Sequence, residues 1–199
     1  MDRRLGLVAG MTIPFLALLF WVLTRSFSPV TGYFLGLCIY WMLLAVGILL
    51  HPRWSMKPRW PAHWAVLAFA LLIGLAFFAT SRHMSVLSPH VAFLVLCSAL
   101  LNGTLEEAFW RGALVPDLGA GDWRRALMPL GLFTLWHIAP AAGVRDLSLP
   151  GGSMGMLVAA AIFGVAAMAA RLSSGTAGAS AIGHVLVNLS TFWAIASHP

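Results

Sequence analysis

Charge is scarce in this chain. Only 9% of its 199 residues are Asp, Glu, Lys or Arg, against about 25% in ordinary globular domains, while 60% are hydrophobic. A soluble domain is excluded by that balance. Acidic residues number six, and just two of them are glutamates, Glu106 and Glu107. A single lysine accompanies eleven arginines. Cysteine is limited to Cys38 and Cys97, both within apolar runs, where each reads as a small inert hydrophobe. Alternating apolar and polar positions are lacking, which excludes a membrane β-barrel. No phosphate-binding glycine pattern accompanies the glycines at 150–155, which read as a loop. The net charge of +6 in so apolar a chain marks loops facing anionic lipid, with no nucleic-acid partner.

What is present is a series of apolar runs near 20 residues, each long enough to cross about 30 Å of hydrocarbon as a helix. Seven spans are expected, at about 5–24, 30–50, 64–80, 91–113, 126–142, 155–171 and 178–196. The fold class is therefore all-α: one polytopic bundle of about seven transmembrane helices covering 1–199. The first run, after Arg3 and Arg4, continues through Leu23 with no small-x-small cleavage site behind it, and reads as a retained span. Pro29, Pro52, Pro58, Pro61, Pro89, Pro116 and Pro150 punctuate the joints. The sixth span, with Gly155, Ala159, Ala160, Gly164 and Ala167, reads as a close-packing helix.

The arginines orient the bundle. With the N-terminus cytoplasmic, that side carries Arg3, Arg4, Arg53, Lys57, Arg59, Arg124, Arg125 and Arg171, and the far side Arg25, Arg82 and Arg145. The excess places the N-terminus in and the C-terminus out in an integral cell-membrane protein.

Inside the spans, the strongly polar residues are Asn102, Glu106, Glu107, Arg111, His137, His184 and Asn188. Each intramembrane charge is costly, about 2.5–3.5 kcal/mol on insertion scales, so adjacent glutamates need a partner or a use. Glu107 and Arg111 stand four apart and share a helix face, as do His184 and Asn188. Glu106 is rotated about 100° away, toward Asn102 and Trp110. Glu106, His137 and His184 fall at similar depth, roughly 9–16 Å from one membrane face at 1.5 Å per residue. The remaining histidines, His51, His63, His83, His90 and His198, are expected to be solvated. Asn102 reads as helix-packing glue, and Trp110 and Trp136 as packing or cavity-lining residues. Thr134 and Ser190 lack a base arrangement that would make either a nucleophile.

Three motifs occur in order: EEAFWR at 106–111 (EExxxR), FTLWH at 133–137 (FxxxH) and HVLVN at 184–188 (HxxxN). Together they resemble the CPBP (Abi, CAAX-protease and bacteriocin-processing) family of intramembrane endopeptidases. The resemblance covers residues 91–196, a catalytic core on helices 4 to 7, and leaves 1–90 as accessory spans. It implies a cavity open toward the cytoplasmic leaflet, where Glu106 activates water to cleave a membrane-anchored or lipidated protein substrate. Glu107 and Arg111 would support the site. His184 and Asn188 would stabilise the oxyanion, and His137 would hold water or protonate the leaving amine.

No cofactor is expected. The competing reading is a zinc-dependent protease with His137, His184 and Glu106 as ligands. A sorting, bacteriocin-maturation or immunity module of the same fold is a further alternative. A haem-binding or proton-relay protein using His137 and His184 leaves the glutamate pair unexplained.

Overall fold

The computed structural model describes residues 1–51, 54–144, 147 and 149–197. It holds eight α-helices: α1 (Arg3–Ser26), α2 (Pro29–Leu50), α3 (His63–Thr80), α4 (Pro89–Glu107), α5 (Trp123–Trp136), α6 (Ile138–Val144), α7 (Gly152–Ser174) and α8 (Gly178–Ala196). Among the described residues there is no strand. Among the described residues seven segments are long and apolar enough to span a membrane, α5 and α6 together forming the fifth. The chain is an integral membrane protein, with the seven spans where the apolar runs place them.

Local chemistry sets the helix ends. Asp2 caps α1, its carboxylate accepting from the Leu5 N–H at 3.0 Å. Ser28 caps α2 and is followed by Pro29 at the first helical position, where a missing N–H costs nothing. Gly175 ends α7 in the left-handed region (φ +76°), its N–H closing on the Arg171 carbonyl.

α8 lies centrally, against α4, α3 and α7. Gly103 sets its distance from α4. A β-carbon there would stand 2.7 Å from the Val185 backbone nitrogen, so only a glycine lets the two helices approach this closely. That approach places the glutamates of α4 opposite His184. The outward faces are apolar, with Met11, Leu49 and Phe78 each more than three-quarters exposed, as lipid contact requires.

α4 does not end as an α-helix. Residues Ala108–Ala113 continue it as a π-helix, closed by a Leu114 N–H bond to the Phe109 carbonyl at 2.9 Å. This widened turn follows immediately on the glutamate pair and carries Arg111.

Several expectations are corrected. The stretch at 150–155 is only partly a loop, because α7 starts at Gly152. Small residues of α7 do more than pack. Gly164 meets Leu130 and Phe133 closely, but Gly155, Ala159 and Ala160 line a cavity. His51 is not simply solvated, since its Nδ1 lies 3.2 Å from Asp2 Oδ2. Arg171 is not a loop charge either. It is buried, and donates to the carbonyls of Arg111 at 2.8 Å, Leu118 at 3.2 Å and Val115 at 3.4 Å. It thus satisfies acceptors left where the π-helix ends. Pro52, Arg53, Arg145 and His198 lie outside the described residues.

Candidate active site

The seven intramembrane polar residues singled out above are all buried, none more than 9% exposed. They come from four segments: α4 (Asn102, Glu106, Glu107), its π extension (Arg111), the α5–α6 junction (His137) and α8 (His184, Asn188). The structure brings them together around the two glutamates.

Glu107 is held through one oxygen, its Oε2 being buried without a hydrogen-bond partner. Its Oε1 accepts from Arg111 Nη1 at 3.1 Å and lies 2.9 Å from His184 Nδ1. Arg111 also donates to the Gly164 carbonyl at 3.2 Å, and its guanidinium stacks 3.9 Å from the Phe133 ring centroid. These contacts partner both terminal nitrogens of the buried guanidinium, while its Nε finds no acceptor.

Glu106 is treated differently. Its Oε1 accepts from Asn102 Nδ2 at 2.8 Å, and the Asn102 carbonyl oxygen in turn accepts from Trp41 Nε1 at 2.7 Å. Asn102 is therefore the orienting partner of Glu106 rather than packing glue alone. The second oxygen, Oε2, is buried and accepts no hydrogen bond from the protein. It faces His137 Nε2 at 3.7 Å and His184 Nε2 at 4.0 Å.

The tautomers follow from these partners. His137 Nδ1 lies 2.8 Å from the Phe133 carbonyl, which can only accept, so Nδ1 carries a proton. Likewise the Arg111-paired carboxylate of Glu107 accepts from His184 Nδ1. Each neutral imidazole then turns a lone pair, not a proton, toward Glu106 Oε2. Three acceptors converging on one point call for a shared donor, and the spacing suits a water held among them.

Asn188 lies one turn beyond His184. Its Nδ2 is a buried donor with no protein acceptor. With His137 and His184 it lines a cavity of about 190 Å³ that is mostly apolar, walled by Phe133, Phe163 and Ala160, with Thr80 and Thr191 also at its edge. Thr134 and Ser190 spend their hydroxyls on carbonyls of their own helices, at 3.1 and 2.9 Å.

As placed, the donor set is wider than tetrahedral zinc requires. Bonds of 2.0–2.1 Å at tetrahedral angles put ligand atoms roughly 3.4 Å apart. Here both Nε2–Oε2 separations are wider, and among the described residues no three His, Cys, Asp or Glu side chains form a metal-binding group. A bis-histidine haem fits no better, because both imidazoles address one carboxylate oxygen.

The cavity leads from the histidines toward Thr80 at the end of α3 and Pro150 before α7. Those joints lie at the end of the bundle opposite the N-terminus. The cavity therefore runs toward the face opposite the N-terminus, whereas a cytoplasmic N-terminus and a cavity open to the cytoplasmic leaflet are both expected above. Exposed Ala79 of α3 and Ala159 of α7 flank the cavity, so it borders the surrounding lipid sideways.

Two contributors carried no signal in the sequence. Trp41 anchors Asn102, and the buried Tyr40 hydroxyl lies within electrostatic reach of Glu106. Both come from α2, so the first 90 residues help to build the site.

Comparison with known proteins adds one match. The family model described as "Type II CAAX prenyl endopeptidase Rce1-like" matches residues 87–190, from just before α4 into the second half of α8. No curated protein and no solved structure matches the chain.

Proposed function

We propose a mechanism from one premise: this chain belongs to the Rce1-like family of type II CAAX prenyl endopeptidases. That is a family of membrane-embedded proteases, and the chain is read here as an intramembrane endopeptidase acting on a membrane-anchored or lipidated protein. The observation that carries the mechanism is Glu106 Oε2, a buried carboxylate oxygen left without a protein donor and faced by two imidazole nitrogens.

Water sits between Glu106 Oε2 and His137 Nε2, donating one O–H to each. Glu106 takes its proton as the oxygen adds to the scissile carbonyl carbon. In the reactive form His184 has already taken a second proton from solvent, and the resulting oxyanion accepts from Asn188 Nδ2 and from this His184 Nε2–H. Collapse breaks the C–N bond, and the departing amine receives the proton held by Glu106. Asn102 fixes the base, while Glu107 and Arg111 fix His184. The donor spacing favours this chemistry without metal. The arginine-rich end is assigned to the cytoplasm even with Arg171 set aside, and Glu106 lies about 10 Å inside Ala113, the end of its span on that face. Substrate approaches from the lipid, between α3 and α7.

Hydrolysis in oxygen-18 water tests this without knowledge of the substrate. Membranes containing the wild-type protein are expected to accumulate labelled new C-termini that membranes with Glu106→Gln lack, unchanged by a strong chelator. Chelator inactivation that zinc reverses would overturn the metal-free mechanism.

A further inference from the structure

At the N-terminal end of the bundle, α1 and α5 part around a groove of about 900 Å³. Gly6 and Gly10, one turn apart on α1, keep its floor low, and Leu132 of α5 is near both. Exposed Met11 and Met128 form its flanks. Over this apolar trough stand three exposed arginines, Arg3 from α1 and Arg124 and Arg125 from α5. Arg125 is partly neutralised by Asp122 at 3.3 Å and donates to the Asp117 carbonyl. Arg3 and Arg124 form no ion pair among the described residues.

We infer that this groove binds an anionic phospholipid, its phosphate received by Arg3 and Arg124 and its acyl chains laid against Met11, Met128 and Leu132. The vertical order of the groups is that of a lipid. Trp123, partly exposed at the start of α5, stands at headgroup level beside the arginines. Leu132 lies nine residues deeper, about 13 Å, close to the thickness of one leaflet's hydrocarbon. A soluble anion would use the arginines but not the trough, and a neutral lipid the trough but not the arginines. Because Arg3 and Arg124 belong to different helices, the bound lipid ties α1 to α5.

A smaller groove between α3 and α8, about 320 Å³, is lined by one arginine, Arg59, and serves as the control. The test uses the purified full-length protein in uncharged detergent, with phosphatidylglycerol and phosphatidylcholine of identical chains. Binding is read by native mass spectrometry and stability by thermal unfolding. Phosphatidylglycerol is expected to bind on the order of tenfold tighter and to raise the unfolding temperature. The double variant Arg3→Gln/Arg124→Gln should lose that preference, and Arg59→Gln should keep it. Equal binding of the two lipids by the wild type would overturn the assignment. So would a preference that survives the double variant, one lost in Arg59→Gln, or stabilisation matched by glycerol 3-phosphate alone.

Discussion

His184 touches both glutamates: its Nδ1 lies 2.9 Å from Glu107 Oε1 and its Nε2 lies 4.0 Å from Glu106 Oε2. One imidazole thus links the carboxylate paired with Arg111 to the one held by Asn102. The two glutamates differ in rotation along α4, as helix periodicity requires, yet they converge on the same side chain from α8.

Glu107 should accordingly behave as a structural residue. Glu107→Gln leaves Arg111 buried without its counter-charge, an arrangement that costs about 3–5 kcal/mol. Its unfolding temperature in detergent is expected to fall sharply. Glu107→Gln combined with Arg111→Met should recover much of the loss. A double variant no more stable than the single would contradict the pairing.

Asn102 should matter for turnover rather than for binding. It holds Glu106 Oε1, and Trp41 holds Asn102. With the base free to rotate, Asn102→Ala is expected to lower kcat by roughly 10- to 100-fold, with KM little changed. Trp41→Phe should act in the same direction and more weakly. An effect confined to KM would point to substrate contact instead.

Gly103 is a packing requirement with a functional consequence. The atoms a β-carbon would meet belong mainly to the Val185 backbone, which cannot be trimmed. Gly103→Ala should cost about 1–3 kcal/mol by overpacking and should reduce activity, because α4 and α8 carry the two halves of the site. Adding Val185→Ala is expected to restore little. Full rescue, measured by thermal unfolding, would show that the side chain was the obstacle.

Asp2 gives a pH dependence. The Leu5 N–H above all holds its carboxyl below the usual carboxylate range, against desolvation as the next-largest effect and with a lesser lowering from His51. A depressed folded-state value means stability that is present above the unfolded value and lost as pH falls through the folded one. Asp2→Ala, which removes the cap, should cost about 1 kcal/mol at neutral pH. The gap between variant and wild type should close as the medium is acidified below the ordinary carboxylate range. A gap independent of pH would mean that the charge contributes nothing.

Much of the fold was legible because lipid imposes a simple rule: a span must be long, apolar and helical. The polar residues were legible for the same reason, since each is an exception that the bilayer penalises. What stayed hidden was tertiary. Tyr40 and Trp41 sit in an apolar run where aromatic residues are unremarkable, and only the packing of α2 against α4 turns them toward Glu106. Arg171 near a span's end looks like any topology-setting arginine. Its role depends on carbonyls from residues more than 50 positions away. The π-helix after Glu107 has no compositional mark. The direction of the cavity follows from where α3 ends and α7 begins, which periodicity does not specify.

The central claim is that Glu106, and not Glu107, is the base. Wild type, Glu106→Gln and Glu107→Gln reconstituted in liposomes can be compared for hydrolysis of a membrane-tethered peptide in oxygen-18 water, with unfolding temperature recorded for each. Glu106→Gln is expected to lose at least about 100- to 10,000-fold in turnover while unfolding near the wild-type temperature. Turnover by a folded Glu106→Gln at the wild-type rate would contradict the account.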